Sequence, residues 1–325
     1  KLAIDHKPAT WNMVAGLLVN PLVSQILETR SVKLNTRVNI EVRRTIPNRK
    51  LRTIGAFCFV DYFGPTDQTE AMVVAAHPHT GLQTVTWLFE GEVEHRDSLG
   101  SVQLIKPGQL NLMTAGKGIS HSELSKKTDG RLHGIQLWVA LEDKDRFINP
   151  SFEHVSENQQ LAKEGMKLKV FMGELMGVSS PAKLYSKLVA AEIELQPGEH
   201  TIDVNPEFEH GLLMVEGEFE SEGEMLKEAE LVYFEAGQQQ IEISVKTKTK
   251  LVLIGGEPFK ERLVMWWNFI ARSHSEIEEM RAMWNDPENR QTGEDNFGMF
   301  EDEVGDWIPA PDMPNVQLRG RSQKG

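Results

Sequence analysis

One cysteine, Cys58, is the only thiol in 325 residues. That excludes an intramolecular disulfide, and with it the iron–sulfur clusters and Cys-rich zinc sites that need several thiolates; a reducing cytoplasm is the expected setting. Positive charge is also short. The chain carries 35 Lys+Arg against 48 Asp+Glu, a formal net charge of −13, which argues against a general binder of nucleic-acid phosphates. Long apolar runs are missing too. The best stretch, Trp11 to Leu27, is interrupted by Asn12, Asn20 and Pro21, and Leu251 to Gly256 is only strand-sized. Neither a membrane span nor a cleaved leader is expected, and residues 1 to about 30 read as a short amphipathic arm.

What the chain does have is short β-type runs punctuated by turn residues. GAFCFV (55–60), TVTWLF (84–89) and GIQLWVA (134–140) are such runs, and Gly64-Pro65, Pro107-Gly108 and Asp129-Gly130 are turn signals. Even spacing of short strands predicts an all-β sandwich or barrel. Between about Asp143 and Ser180 the pattern loosens into polar sequence and reads as a connector. Strands resume from Lys187 to Ile254, the spacing of Ile277, Met280, Met283 and Trp284 is helical, and the sequence from Asp286 on reads as irregular. The expected divisions are an arm to residue 30, a first domain over 31–150, a connector over 151–180, a second domain over 181–260 and a tail over 261–325.

The second β block resembles a worn copy of the first. LFEGEV (88–93) aligns with MVEGEF (214–219), and the flanking apolar runs fall into step. The acidic run from Glu216 to Glu224 reads as a solvated hairpin.

The strongest chemical feature is His77-Pro78-His79, followed about forty residues later by His121-Ser122-Glu123. Residues i and i+2 of a strand share a face, so each triplet aims two ligand-type side chains one way. Two such strands side by side surround a point with three imidazoles and one carboxylate. That donor set suits Fe, Mn, Ni, Cu or Zn over Ca or Mg. A six-coordinate ion held by these four side chains would keep two open positions, which permits ligand exchange or chemistry. Among the other histidines, His133 reads as a hydrogen-bonded core imidazole and His95 as a turn or rim residue. His6, His154, His200, His210 and His274 have no partners in register. Fourteen residues before Gly217, where the first block has His77 before Gly91, stand Asp203 and then Asn205, so the second block lacks a ligand set.

HPHTGLQTVTWLFEG (77–91), HRDSLG (95–100), Pro107-Gly108, MTAGKGISHSE (113–123) and LHGIQLW (132–138) together resemble the signature of the pirin family, which are bicupins. GGEP (255–258) with VMWWNFI (264–270) is similar to the C-terminal part of its bacterial branch. The resemblance runs from about Val38 to Ala271. It implies two cupin (jelly-roll β-barrel) domains in one chain, with a single metal, Fe(II) first among the candidates, held by His77, His79, His121 and Glu123. It also implies that Glu123 acts as base toward a substrate hydroxyl. Departures from the family pattern are Thr80 and Gln83, where many relatives carry Arg and Glu, and Lys117 for Arg. Gln83 and Met113 are then expected beside the metal or along the cavity, with Phe57, Phe59, Trp87 and Trp138 as candidate walls. The implied activity is a quercetinase-type dioxygenase acting on a flavonol or related enol, so the expected partner is a small aromatic substrate. The alternative is a non-enzymatic, iron-dependent redox sensor that binds a protein partner.

Overall fold

The computed structural model describes residues 24–34, 40–67, 71–126, 130–221, 223–301, 305 and 307–324. Most of the expected arm, residues 1–23, lies outside them.

Two seven-stranded antiparallel sheets dominate the chain, and they share one strand order. In the first, the strands run Ser151–Val155, Leu110–Thr114, Leu82–Glu90, Arg131–Ala140, Phe57–Asp67, Ile40–Ile46 and Arg30–Leu34. In the second they run Ser24–Leu27, Leu231–Phe234, Glu209–Glu216, Thr249–Gly256, Leu188–Leu195, Met166–Met172 and Gln160–Lys163. The sequence repeat is therefore structural. Leu82–Glu90 and Glu209–Glu216 occupy the same place, and each ends at a left-handed glycine, Gly91 at φ 83° and Gly217 at φ 97°. No Cβ fits at either, since it would lie 2.7 Å from the Arg131 carbonyl oxygen or 2.5 Å from that of Lys248.

The expected connector is sheet instead. Ser151–Val155 closes the first sheet, while Gln160–Lys163 and Met166–Met172 open the second. Its polar residues are the outward half of an alternating pattern, as in Met166–Met172, where Met166, Leu168 and Val170 are buried and Lys167 is exposed. In the reverse direction, Ser24–Leu27, the described end of the arm, pairs with Leu231–Phe234 of the second sheet. Each domain thus receives a strand from beyond its own boundary. Gly64-Pro65, expected as a turn, lies inside the eleven-residue strand Phe57–Asp67, where the register against Arg131–Ala140 slips by one residue.

The large sheets pack face to face between the domains. Val60, Tyr62, Val85, Trp87 and Leu137 of the first meet Phe171, Ala190, Leu213, Val252 and Ile254 of the second in one core. The inner faces point into two barrels. A four-stranded sheet, ordered Val73–His79, Ile119–Ser125, Val93–Asp97 and Val102–Ile105, covers the first inner face. The pair Gly198–Asp203 and Gln240–Val245 belongs to the second barrel and buries Ile202, Ile241, Ile243 and Val245. After the barrels come the hairpin Val264–Trp266/Phe269–Ala271 and two helices, His274–Asn285 and Pro287–Thr292. The expected helix at Ile277–Trp284 is therefore present. It begins on a capping box between Ser273 and Glu276. No helix among the described residues is long and apolar enough to cross a membrane.

Candidate metal centre

Three neighbouring strands of the small sheet each bring an i,i+2 pair of polar side chains to one region. Val73–His79 ends in His77 and His79, and Ile119–Ser125 carries His121 and Glu123. Val93–Asp97 carries His95 and Asp97. The register sets His77 opposite His121 and His121 opposite Asp97, with Glu123 opposite His95.

His77, His79 and His121 converge, with one ring nitrogen from each lying within 4.8 Å of the others. All three are buried. The His79 and His121 Nε2 atoms stand 3.1 Å apart. Two nitrogens each about 2.1 Å from one ion, at a right angle, would lie about 3.0 Å apart, so the spacing fits a shared cation. Protonation agrees with that use. The His77 Nδ1–H donates to the Ala75 carbonyl at 2.9 Å, which leaves Nε2 with a free lone pair. Burial lowers the His77 pKa to about 4 and holds His79 and His121 well below the ordinary imidazole value, helped by their mutual repulsion. Neutral imidazole is the form that binds a metal.

Glu123 takes a different station. Its carboxylate groups with the ring nitrogens of His95 and His121, within 4.8 Å of each. The Thr86 hydroxyl is 3.4 Å from its Oε1. Burial raises its pKa, offset in part by His95 and by the Thr86 hydrogen bond.

The cluster lies on a cavity of about 500 Å³ that Glu123 also lines. Phe59 and Trp138 stack along one wall, their centroids 4.2 Å apart, and the Trp138 ring meets His79 edge-on at 5.0 Å. The Arg44 guanidinium caps Phe59 at 3.9 Å. Met265, Trp266, Trp267 and Asn268 of the C-terminal hairpin add to the lining. A polar row crosses the large sheet beside this shelf. Thr86, Gln136, Asp61 and Arg44 are successive cross-strand neighbours. The Thr86 hydroxyl, 2.9 Å from Gln136 Oε1 and 3.4 Å from Glu123 Oε1, has one proton to share between the two acceptors, and Arg44 holds Asp61 through two bonds of 2.7 Å.

Four of the expected cavity residues do not line the cavity. Gln83 points toward the second domain, donating to Thr114 Oγ1 at 2.9 Å and to the Lys183 carbonyl at 3.2 Å. On Leu82–Glu90 the odd positions face outward, which also puts Trp87 in the interdomain core; Phe57 reaches that core because the register against Arg131–Ala140 slips between Phe59 and Phe57, turning Phe57 off the face that Phe59 uses. Met113 is inside the barrel but packs on Ala115, Ile119 and Phe152. His133 contacts the Tyr62 hydroxyl in the core, as expected of it. His95 is buried behind His121 instead of on a rim, and the sequence reading missed its pairing with Asp97. The signal was there: His95-Arg96-Asp97 has the same i,i+2 spacing as the two triplets.

A barrel of two packed sheets with a cluster of inward imidazoles, joined back to back with a second barrel that has no such cluster among the described residues, is a bicupin. The family comparison identifies which kind. Residues 39–139 match the model of the pirin family, and residues 190–290 match that of the pirin C-terminal cupin domain. The chain is 38% identical to a Pseudomonas aeruginosa protein provisionally named quercetin 2,3-dioxygenase, over 85% of this chain and 86% of that one. It is also 38% identical to a pirin-like protein of Caulobacter vibrioides, over 76% and 88%. Its structure matches the crystal structure of a quercetin 2,3-dioxygenase from Acinetobacter baumannii with a TM-score of 0.85 at 38% identity, covering 91% of this chain and 97% of that one. The chain belongs to the pirin family.

Proposed function

We propose that this chain is a metal-dependent dioxygenase of flat aromatic enols of the flavonol type, with one divalent metal, Fe(II), held by His77, His79, His121 and Glu123. The observation that carries the reading is the convergence of three buried, neutral imidazoles on an aromatic-walled cavity. The relatives named for quercetin dioxygenase activity support the substrate class. Action in the cytoplasm is part of the proposal, since the single cysteine, Cys58, cannot form an intramolecular disulfide.

When bound, the metal supplies Lewis acidity and the redox chemistry of oxygen. The protein supplies the rest. Phe59 and Trp138 give the cavity an aromatic wall beside His79 against which an aromatic substrate packs. The row from Thr86 to Arg44 spans three strand spacings of about 4.8 Å, or roughly 14 Å, which suits a two- or three-ring compound better than a single catechol. Glu123 accepts the substrate hydroxyl proton at a carboxylate oxygen, and the Thr86 hydroxyl steadies that carboxylate. Phe63, Met72 and Val93 line the cavity and exclude water.

The test is oxygen uptake by protein loaded anaerobically with Fe(II), with and without quercetin and a panel of flavonols and catechols. Flavonol-dependent uptake is expected. No turnover across the panel would sink the dioxygenase reading, and oxidation-dependent capture of a protein partner would then favour the sensor. His121→Ala should lose most of the bound metal, read by elemental analysis, while keeping its circular dichroism. Stoichiometric metal in that variant would show the ligand set to be wrong.

A further inference from the structure

We infer that Asp97 and His95 form a positioning relay that fixes the tautomer and aim of His121 toward the metal; the inference rests on the ligand set proposed above. His121 has two ring nitrogens and both are engaged. Its Nε2 faces His79 Nε2 at 3.1 Å, on the metal side, and its Nδ1 faces His95 Nδ1 at 3.3 Å. One imidazole cannot turn both nitrogens to the same ion. If Nε2 binds the metal, the ring proton sits on Nδ1 and is donated to His95 Nδ1. That nitrogen must then be an acceptor, so the His95 proton is on Nε2, which faces Asp97 Oδ2 at 3.1 Å.

Asp97 is itself fixed. Its Oδ1 accepts from the backbone N–H groups of Leu99 at 2.9 Å and Ser101 at 3.1 Å. The His95 ring is clamped against Phe152, with centroids 4.4 Å apart and planes at 12°. Asp97 and His95 are 1% and 4% exposed, so neither has water as an alternative partner. Every proton in the line from the Leu99 and Ser101 amides to His121 Nε2 thus has one place to be. The same bookkeeping removes His95 as a ligand, although it groups with His121 and Glu123: one of its nitrogens serves Asp97 and the other serves His121. A carboxylate behind a ligating imidazole orients the ring and increases its basicity, and losing such a partner typically weakens metal binding by about 10–100-fold.

Asp97→Asn is the informative variant. The amide oxygen still accepts from Leu99 and Ser101, so the turn survives, but an NH₂ now faces His95 Nε2. His95 must accept there and carry its proton on Nδ1, where it meets the His121 proton. Co(II) titration of the full chain, followed by its visible ligand-field bands, should show binding weakened roughly 10–100-fold in Asp97→Asn and His95→Leu proteins whose far-ultraviolet circular dichroism shows them folded. His95→Gln, whose carbonyl can accept from His121 Nδ1–H, should recover part of the loss. In the Zn(II)-loaded protein, long-range ¹H–¹⁵N correlations should report His121 protonated on Nδ1 and His95 on Nε2. Folded Asp97→Asn and His95→Leu proteins that bind Co(II) within about twofold of the unmodified chain would overturn the relay. So would a His95 proton on Nδ1 in the Zn(II) form. A parent chain that fails to take up Co(II) would overturn the ligand set and the relay together, whereas unaffected variants of a parent that binds would remove the relay alone.

Discussion

His210 shows what a buried imidazole costs when nothing uses it. The side chain is wholly buried in the second barrel, and neither ring nitrogen has a hydrogen-bond partner. Space for the ring comes from Gly255, its cross-strand neighbour, where an added Cβ would lie 2.6 Å from His210 Cδ2. Burial lowers its pKa from 6.5 to about 4. The sign of the linkage follows. As pH falls through 6.5 the unfolded chain takes up a proton that the folded chain refuses until about 4, so stability is lost across that window. At pH 5 one such group removes about 2 kcal/mol relative to neutral pH. His77 and His133, also lowered to about 4, act in the same direction. His210→Leu should therefore lose about 2 kcal/mol less than the parent between pH 7.5 and 5.0 in urea unfolding, the other histidines cancelling in the comparison. Equal losses in the two proteins would mean that His210 is not held neutral.

Strand by strand, the inner faces of the two large sheets differ along one row. In the first barrel Asn111, Thr86, Gln136, Asp61 and Arg44 are successive neighbours across the sheet. The equivalent row of the second is Val232, Leu212, Leu253, Ala191 and Val170. Thr86, Gln136, Asp61 and Arg44 of the first line a cavity, and the second is closed by aliphatic packing around Ile202 and Ile241. Leu253→Gln would not open a site there. It would bury an amide without partners at a fully buried position and should cost roughly 2–5 kcal/mol in urea unfolding, with no gain in metal uptake. A loss below about 1 kcal/mol would show that the second barrel has polar capacity that its contacts do not suggest. This row also marks how far the sequence could be read. The triplets at 77–79 and 121–123 were legible because each lies within a single strand, and the repeat at 88–93 and 214–219 because it is a contiguous strand end and glycine turn. Gln83 was misplaced because which strand face is inward depends on the sheet packed against it. The ladder from Thr86 to Arg44 joins residues far apart in the chain, so it exists only once the strands are in register. The strands Ser24–Leu27 and Ser151–Val155 were missed for the same reason, since their pairing partners, the first of them in the other domain, are distant in sequence and leave no local pattern.

For the whole molecule, the back-to-back packing of the large sheets makes two cupins into one unit. Trp87 stacks on Phe171 at 4.3 Å and donates its indole N–H to Glu192 at 2.7 Å. Around it, the Tyr62 hydroxyl and Arg43 both donate to Glu228 of the second domain, at 2.6 and 2.9 Å. The Gln323 amide near the chain end and the Gly55 N–H both reach the buried Glu209 carboxylate. The strands that carry His77, His79, His121 and Glu123 depend on this arrangement, because the four-stranded sheet packs on the inner face of the sheet whose outer face carries Trp87. Trp87→Ala should cost about 3–5 kcal/mol as a large buried ring lost from a close-packed core. That corresponds to a fall of roughly 5–10 °C in melting temperature. If the domains are one cooperative unit, loss of the Co(II) bands on heating and loss of far-ultraviolet ellipticity should remain coincident in the variant, both at the lower temperature. Two separated transitions, with the second barrel outlasting metal release, would instead make the first cupin an independently melting domain and the interface a mere contact.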